Sequence, residues 1–195
     1  PKILLRRSNN HSSVLRACVG DGKVERHQWV RSEIEQTGRD AVMLQPGEGE
    51  ANGAKRLLEG LLDSYDRFFD AVVADGIYLN APFIDFCRER GKHIVAVLKE
   101  NNPTLLADAR DIFKDQAPHK VAEEEKRSIR YWDVEGLRSG EAAIHHPLRV
   151  VHTEERETKR QRIDRQWVQK TIDHSWFWGT TIPCDLMPMR QIAQV

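Results

Sequence analysis

The sequence predicts an α/β protein in which helices flank a parallel or mixed sheet and a β-rich segment is attached. Three observations lead there. Helix and strand signals alternate between residues 51 and 113 with short connections. The two strand signals in that stretch, AVVAD and HIVAVLK, are continuous apolar runs, as expected of strands covered on both faces. Beyond about residue 116, β-branched and aromatic residues recur between charge clusters, the pattern of antiparallel strands.

Taken in order, RHQWVRSEIEQTGRDAVMLQP alternates around a Thr37-Gly38 turn signal and reads as a hairpin. PGEGE is a turn, after which Ala54, Leu57, Leu58, Leu61 and Leu62 fall on one helical face, ending near Ser64. AVVAD then gives a buried strand over 71–75. Asn80 and Pro82 open a second helix, with Phe83, Ile84, Phe86 and Cys87 as its apolar side and Gly91 as its stop. HIVAVLK is a second buried strand. Asn102-Pro103 repeats the start signal before Leu105, Leu106, Ala109, Ile112 and Phe113. Short connections of this kind imply parallel strands joined by right-handed crossovers. The expected organisation is a partial core over 1–116, with an N-terminal hairpin and then α-β-α-β-α. A β-rich insertion follows over 117–185, and 186–195 begin the return to the core. Residues 128–182 are expected to be predominantly β with their Trp side chains mostly inward.

Composition bounds function. The 195 residues suit a single core. Thirty Lys plus Arg balance thirty Asp plus Glu, and each half of the chain holds equal numbers of both signs. There is no basic arm, so any contact with a polyanion has to come from a local surface. Cys18, Cys87 and Cys184 are odd in number and without CxxC spacing, which argues against a disulfide framework or thiolate metal cluster and for a cytoplasmic protein. No run approaches the roughly 18 apolar residues of a membrane span. A chain that begins at Pro1 is expected to be a fragment or a processed product.

Asp75 is the residue that raises a chemical question, because it places a charge on the tip of a buried-looking strand and is followed by Gly76. In an open α/β sheet, ligands collect where the carboxyl ends of strands open into a crevice, and a carboxylate there suits a hard cation such as Mg2+. An aspartate that merely caps the next turn explains the spacing as well.

The order of several motifs resembles the insertion-sequence transposases of the DDE class, whose catalytic core is RNase H-like. The motifs are Asp75-Gly76-Ile77-Tyr78, then Leu98-Lys99, then Asn101-Asn102-Pro103-Thr104-Leu105-Leu106, with YWDVEG, PLRVV and FWGTTIP downstream. The likeness covers roughly residues 46 to 185. It implies two-metal phosphoryl transfer with Mg2+ or Mn2+ on double-stranded DNA at transposon ends, in a synaptic complex, with Asp75 as the second acid of the triad. The first acid of the family lies further upstream than this chain extends, and its final Glu lies on a helix about where MRQIAQV stops. Asp21, in GDGK, is the one nearby candidate for the first acid, but a turn-like Gly-Asp-Gly reads better as a hairpin tip. The resemblance therefore implies a core truncated at both ends.

Other residues have plainer readings. Glu48 and Glu50 fit capping and the helix dipole better than a metal. Lys99, at a strand exit, either faces a DNA backbone or is solvated. His145, His146 and His174 lack metal-ligand spacing and read as structural. Trp176 and Trp178 share one face of a strand and read as core, with stacking on a base as the alternative. In ERETKRQRIDR the basic Arg156, Lys159, Arg160, Arg162 and Arg165 are diluted by Glu154, Glu155, Glu157 and Asp164, the mark of a solvated hairpin tip. The functions left open are a transposase fragment, another metal-dependent phosphoesterase, and an inactive remnant that binds DNA or protein.

Overall fold

The computed structural model describes residues 3–7, 13–16, 18–19, 29–34, 38–43, 45–65, 70–100, 102–124, 127–138, 144–163 and 166–193. Asp21 lies outside them.

The first five strands are β1 (Ile3–Arg7), β2 (Ser13–Arg16), β3 (Cys18–Val19), β4 (Trp29–Ile34) and β5 (Gly38–Met43). The last two form the expected antiparallel hairpin, Ile34 opposite Gly38. Next come α1 (Glu50–Tyr65), β6 (Ala71–Ala74), a 3-10 turn at Gly76–Tyr78, α2 (Ala81–Glu89), β7 (His93–Val97) and α3 (Pro103–Lys114). The chain continues through β8 (Lys120–Glu124), β9 (Arg127–Leu137), β10 (Leu148–Ile163), β11 (Gln166–Thr180) and the single turn α4 (Met189–Ile192).

The described strands lie in one mixed sheet, in the order β3-β4-β1-β2-β6-β7-β11-β10-β9-β8, with β5 on the far side of β4. β6 runs parallel to both its neighbours, pairing Val72 with Leu15 on β2 and with Ile94 on β7. The remaining pairings near the centre are antiparallel: β11 joins β7 with Trp178 opposite Val97, and β9, β10 and β11 follow as long hairpins. The β-rich segment is thus continuous with the sheet that carries β6 and β7.

Strand alternation divides the core in two. Val72, Ala74, Ile94, Ala96 and Val150 face α1, α2 and α3, burying Leu57, Leu58, Phe83, Ile84, Leu105 and Phe113. Ala71, Val73, Val95 and Val151 face the other way, onto Ile182 and Ile192 of the C-terminal segment. Local sequence explains the helix starts. Asn80 accepts the Phe83 N–H at 3.1 Å with Pro82 in the first turn, and Pro103 opens α3.

The β segment depends on a few long side chains. Arg149 is 3% exposed. It makes two bonds to the Asp133 carboxylate at 2.7 and 2.8 Å and donates to the Met187 carbonyl at 2.6 Å, tying the C-terminal segment to the sheet. The buried His152 ring stacks between Trp132 and Phe177, at 4.8 and 4.0 Å between centroids. The expectation that the Trp side chains lie mostly inward needs correction. Trp132 is buried and Trp178 is half-buried, but Trp167 is 63% and Trp176 45% exposed. Both lie on β11 beyond its pairing with β7.

A groove at the carboxyl ends of two parallel strands

β6 ends at Ala74, so Asp75 stands on its carboxyl tip. It accepts the Gly76 N–H at 2.7 Å through Oδ1 and caps the 3-10 turn. The capping explanation of this residue therefore holds. Capping is not its whole environment, because the parallel pairing of Ala74 with Ala96 brings the exit of β7 alongside. The Lys99 ammonium donates to the same Oδ1 at 3.0 Å. Partial burial pushes the Asp75 carboxyl up, but the Lys99 ammonium and the Gly76 N–H outweigh it and hold the group below the ordinary carboxylate range. Asp75 is ionised at neutral pH. Asp75, expected to hold a metal or to cap the turn, and Lys99, expected to face DNA or solvent, are thus paired with each other.

The turn after Asp75 is held from below. Tyr78 is fully buried, and its hydroxyl donates to Glu50 Oε1 at 3.4 Å. Burial first, then the charge of Glu50, raises the Tyr78 pKa and keeps the phenol neutral. Leu79 packs onto β11 at Gly179, where a Cβ would stand 2.5 Å from Leu79 Cδ2. That close approach, with the Leu98 N–H donating to the Phe177 carbonyl at 2.8 Å, fixes β11 as the third wall of a groove.

The groove encloses about 580 Å³ and is lined by Asp75, Ile77, Lys99, Arg110, Trp176 and Phe177, among others. Two of these, Ile77 and Trp176, are among the exposed large apolar side chains. The Arg110 guanidinium reaches over the Phe177 ring at 6.0 Å. An ionised carboxylate, two cations and an aromatic face therefore share one open cleft. Such a surface can contact phosphates through its cations and stack a flat group on Trp176. Arg110 was missed from the sequence because nothing in α3 marks it. Trp176 was read as core because strand alternation reports a shared face but not what covers it.

The other candidates stay apart from this groove. Glu48 accepts the Gln45 N–H at 2.8 Å and pairs with Arg56 at 2.7 Å, which is local bracing of α1. Glu50 lies in the first turn of α1. His146 pairs with Asp85 at 3.3 Å, and His145 and His174 are exposed. Among the described residues no group of three or more His, Cys, Asp or Glu converges as metal ligands, so those residues alone do not fit a two-metal site. No helix among them is long and apolar enough to cross a membrane. No protein-family model matches the chain, and no curated protein matches it.

Proposed function

We propose that the chain carries the middle of the RNase H-like catalytic core of a DDE-type insertion-sequence transposase, and that the groove beside Asp75 receives the DNA phosphodiester backbone at a transposon end. One observation carries this reading. An ionised carboxylate stands on the carboxyl tip of β6, between parallel neighbours, in an open groove where α/β sheets gather their ligands. Lys99 and Arg110 supply the cations that a phosphate backbone needs there.

In this reading Asp75 is one catalytic, metal-holding acid and Lys99 a DNA contact. Mg2+ or Mn2+ would supply Lewis acidity and an activated oxygen nucleophile. Asp75 would be one ligand, and the described residues do not supply the others. Synaptic assembly on paired ends and a cytoplasmic, nucleoid-bound location follow from the same reading.

The test is Mn2+ binding to this chain by electron paramagnetic resonance, beside nicking and strand transfer on transposon-end DNA. Weak Mn2+ binding that is lost in Asp75→Asn, with no cleavage by this chain, is expected. Mn2+ binding unchanged by Asp75→Asn would remove Asp75 from the site, as would a cleavage-competent longer chain that tolerates Asp75→Ala. Cleavage by this chain that depends on Asp75 would show a complete acid set and refute the partial-core reading.

A second reading, a DNA- or protein-binding module without catalysis, is favoured by the Lys99 ammonium, which occupies Asp75 Oδ1 where a metal-holding carboxylate would present its oxygen.

A further inference from the structure

The β10–β11 hairpin changes character along its length. From Trp176 outward β11 no longer contacts β7, whose last partner is Trp178. β9 leaves β10 at Arg127 opposite Glu157, so residues 158–163 and 166–171 form a ribbon with no third strand among the described residues. Six residues at about 3.3 Å each give this ribbon a length of about 20 Å. Its direction is set by pairing. β11 is antiparallel to β7, so the ribbon continues past the carboxyl end of β7 and rises from the groove wall at Ser175 and Trp176.

Charge divides at the same level. Of the acids that dilute the basic run in the sequence, Glu154 and Glu155 are held at the base of the hairpin, as is Asp173 of the facing strand, while Asp164 lies outside the described residues. Glu154 pairs with Arg130 at 2.8 Å, Glu155 with Arg127 at 2.7 Å and Asp173 with Arg156 at 2.8 Å. Glu157 meets Lys159 at 2.7 Å. Beyond them, the described residues 158–163 and 166–171 hold four basic residues and no acidic one, a net charge of +4 on a chain that is neutral overall.

Two features of the ribbon are unfavourable in isolation. Lys159 and Lys170 are exposed and stand directly opposite each other, a like-charge cross-strand pair that Glu157, 2.7 Å from Lys159, offsets only in part. Trp167, 63% exposed, lies on the face that Arg160 shares by register through Gln169. A two-stranded ribbon is only marginally stable alone. A polyanion would relieve the repulsion and cover the indole.

We propose that this ribbon is a docking element for double-stranded DNA, gripping the backbone of the duplex along its length and entering the major groove. The two-stranded width is one that the major groove, about 12 Å across, admits. The ten residue steps from Trp176 to Gln166 span about 33 Å, about one turn of duplex. The ribbon thus leads a duplex toward the groove at Asp75. This inference stands on charge and geometry and does not require Asp75 to act in catalysis.

Fluorescence anisotropy with a labelled 20-base-pair duplex, across a salt series, tests it. The triple variant Lys159→Gln/Arg160→Gln/Lys170→Gln should bind roughly tenfold more weakly at 0.1 M salt. Its log–log salt slope should be lower by up to about 2.7, because each phosphate that a cation no longer neutralises lowers the slope by about 0.9. The control Lys114→Gln/Lys120→Gln, away from the ribbon, should bind within about twofold of the parent. Circular dichroism checks the fold, and Arg160→Gln alone, with about a third of the slope change, serves if the triple variant is unstable. Unchanged affinity and slope in a folded ribbon variant overturn the proposal. Tighter, ribbon-dependent binding to vesicles of 30% phosphatidylserine than to duplex overturns it in favour of a membrane surface. The Asp75→Asn measurements on Mn2+ and cleavage read the other proposal separately.

Discussion

Gly179→Ala tests how the groove is held together. The glycine lies on β11 opposite Ala96 of β7, and an added Cβ would stand 2.5 Å from Leu79 Cδ2 and 3.3 Å from Cδ1. An ordinary contact begins near 3.4 Å, so Leu79 or the strand has to move by about 1 Å. Leu79 is 0% exposed, so its side chain can give way only by displacing packed neighbours. Overpacking of this size costs about 1–3 kcal/mol, while exchanging a strand glycine for alanine returns about 0.5–1 kcal/mol of backbone entropy. At the middle of both ranges the clash wins, leaving a net loss of about 1.25 kcal/mol. With a urea m value of about 2 kcal/mol/M, the unfolding midpoint should fall by roughly 0.6 M. Leu79→Ala alone should cost about 2–5 kcal/mol, and adding Gly179→Ala to it should cost far less than in the parent, because the clashing methyls are gone. A Gly179→Ala midpoint at or above that of the parent, or strict additivity in the double variant, would refute this account of how the Asp75 turn is seated on β11.

Three further outcomes follow from the same contacts. Lys99→Met should raise the Asp75 pKa, read by carboxyl NMR. Asp75 is depressed in the folded state, so its contribution to stability is present above the unfolded carboxyl pKa near 3.9 and lost as pH falls through the lower folded value. Because Lys99 is exposed and Asp75 only partly buried, the stability change at neutral pH should stay within about 1 kcal/mol, and a carboxyl titration unchanged by the substitution would remove the ion pair. His152 should make the fold sensitive to mild acid. Burial lowers its pKa despite its bond to the Trp176 carbonyl, so the unfolded chain binds more protons; stability is complete above about pH 6.5 and falls as pH drops toward the folded value. His93 shifts the same way, so His152→Gln should flatten that slope in part, and a slope left identical would refute the assignment. Arg149→Ala should cost about 3–5 kcal/mol by urea unfolding, because it strands the Asp133 carboxylate and the Met187 carbonyl; a loss below about 1 kcal/mol would contradict the anchoring role given to it.

What the sequence determined by itself is the local part of this protein. Helices and strands between residues 50 and 114, with the parallel pairing of β6 and β7, were legible because apolar spacing, Asn-Pro starts and short connections act over a few residues. Asp75 was visible for the same reason, as a charge at the end of an apolar run. What only the tertiary structure decided lies in contacts far apart in the chain. Lys99 reaches Asp75 across 24 residues, and β11 closes the groove by pairing with β7 more than 80 residues before it. Trp176 and Trp167 looked like core because alternation assigns a side chain to a face, whereas exposure depends on whether another layer covers that face. The run from Glu154 to Arg165 looked diluted because sequence counts charges in a row. The hairpin pairs Glu154 and Glu155 with arginines of a neighbouring strand and leaves the excess of basic residues beyond them. Cross-strand register, which sets both results, is fixed by hydrogen bonds between distant segments, and no local pattern encodes it.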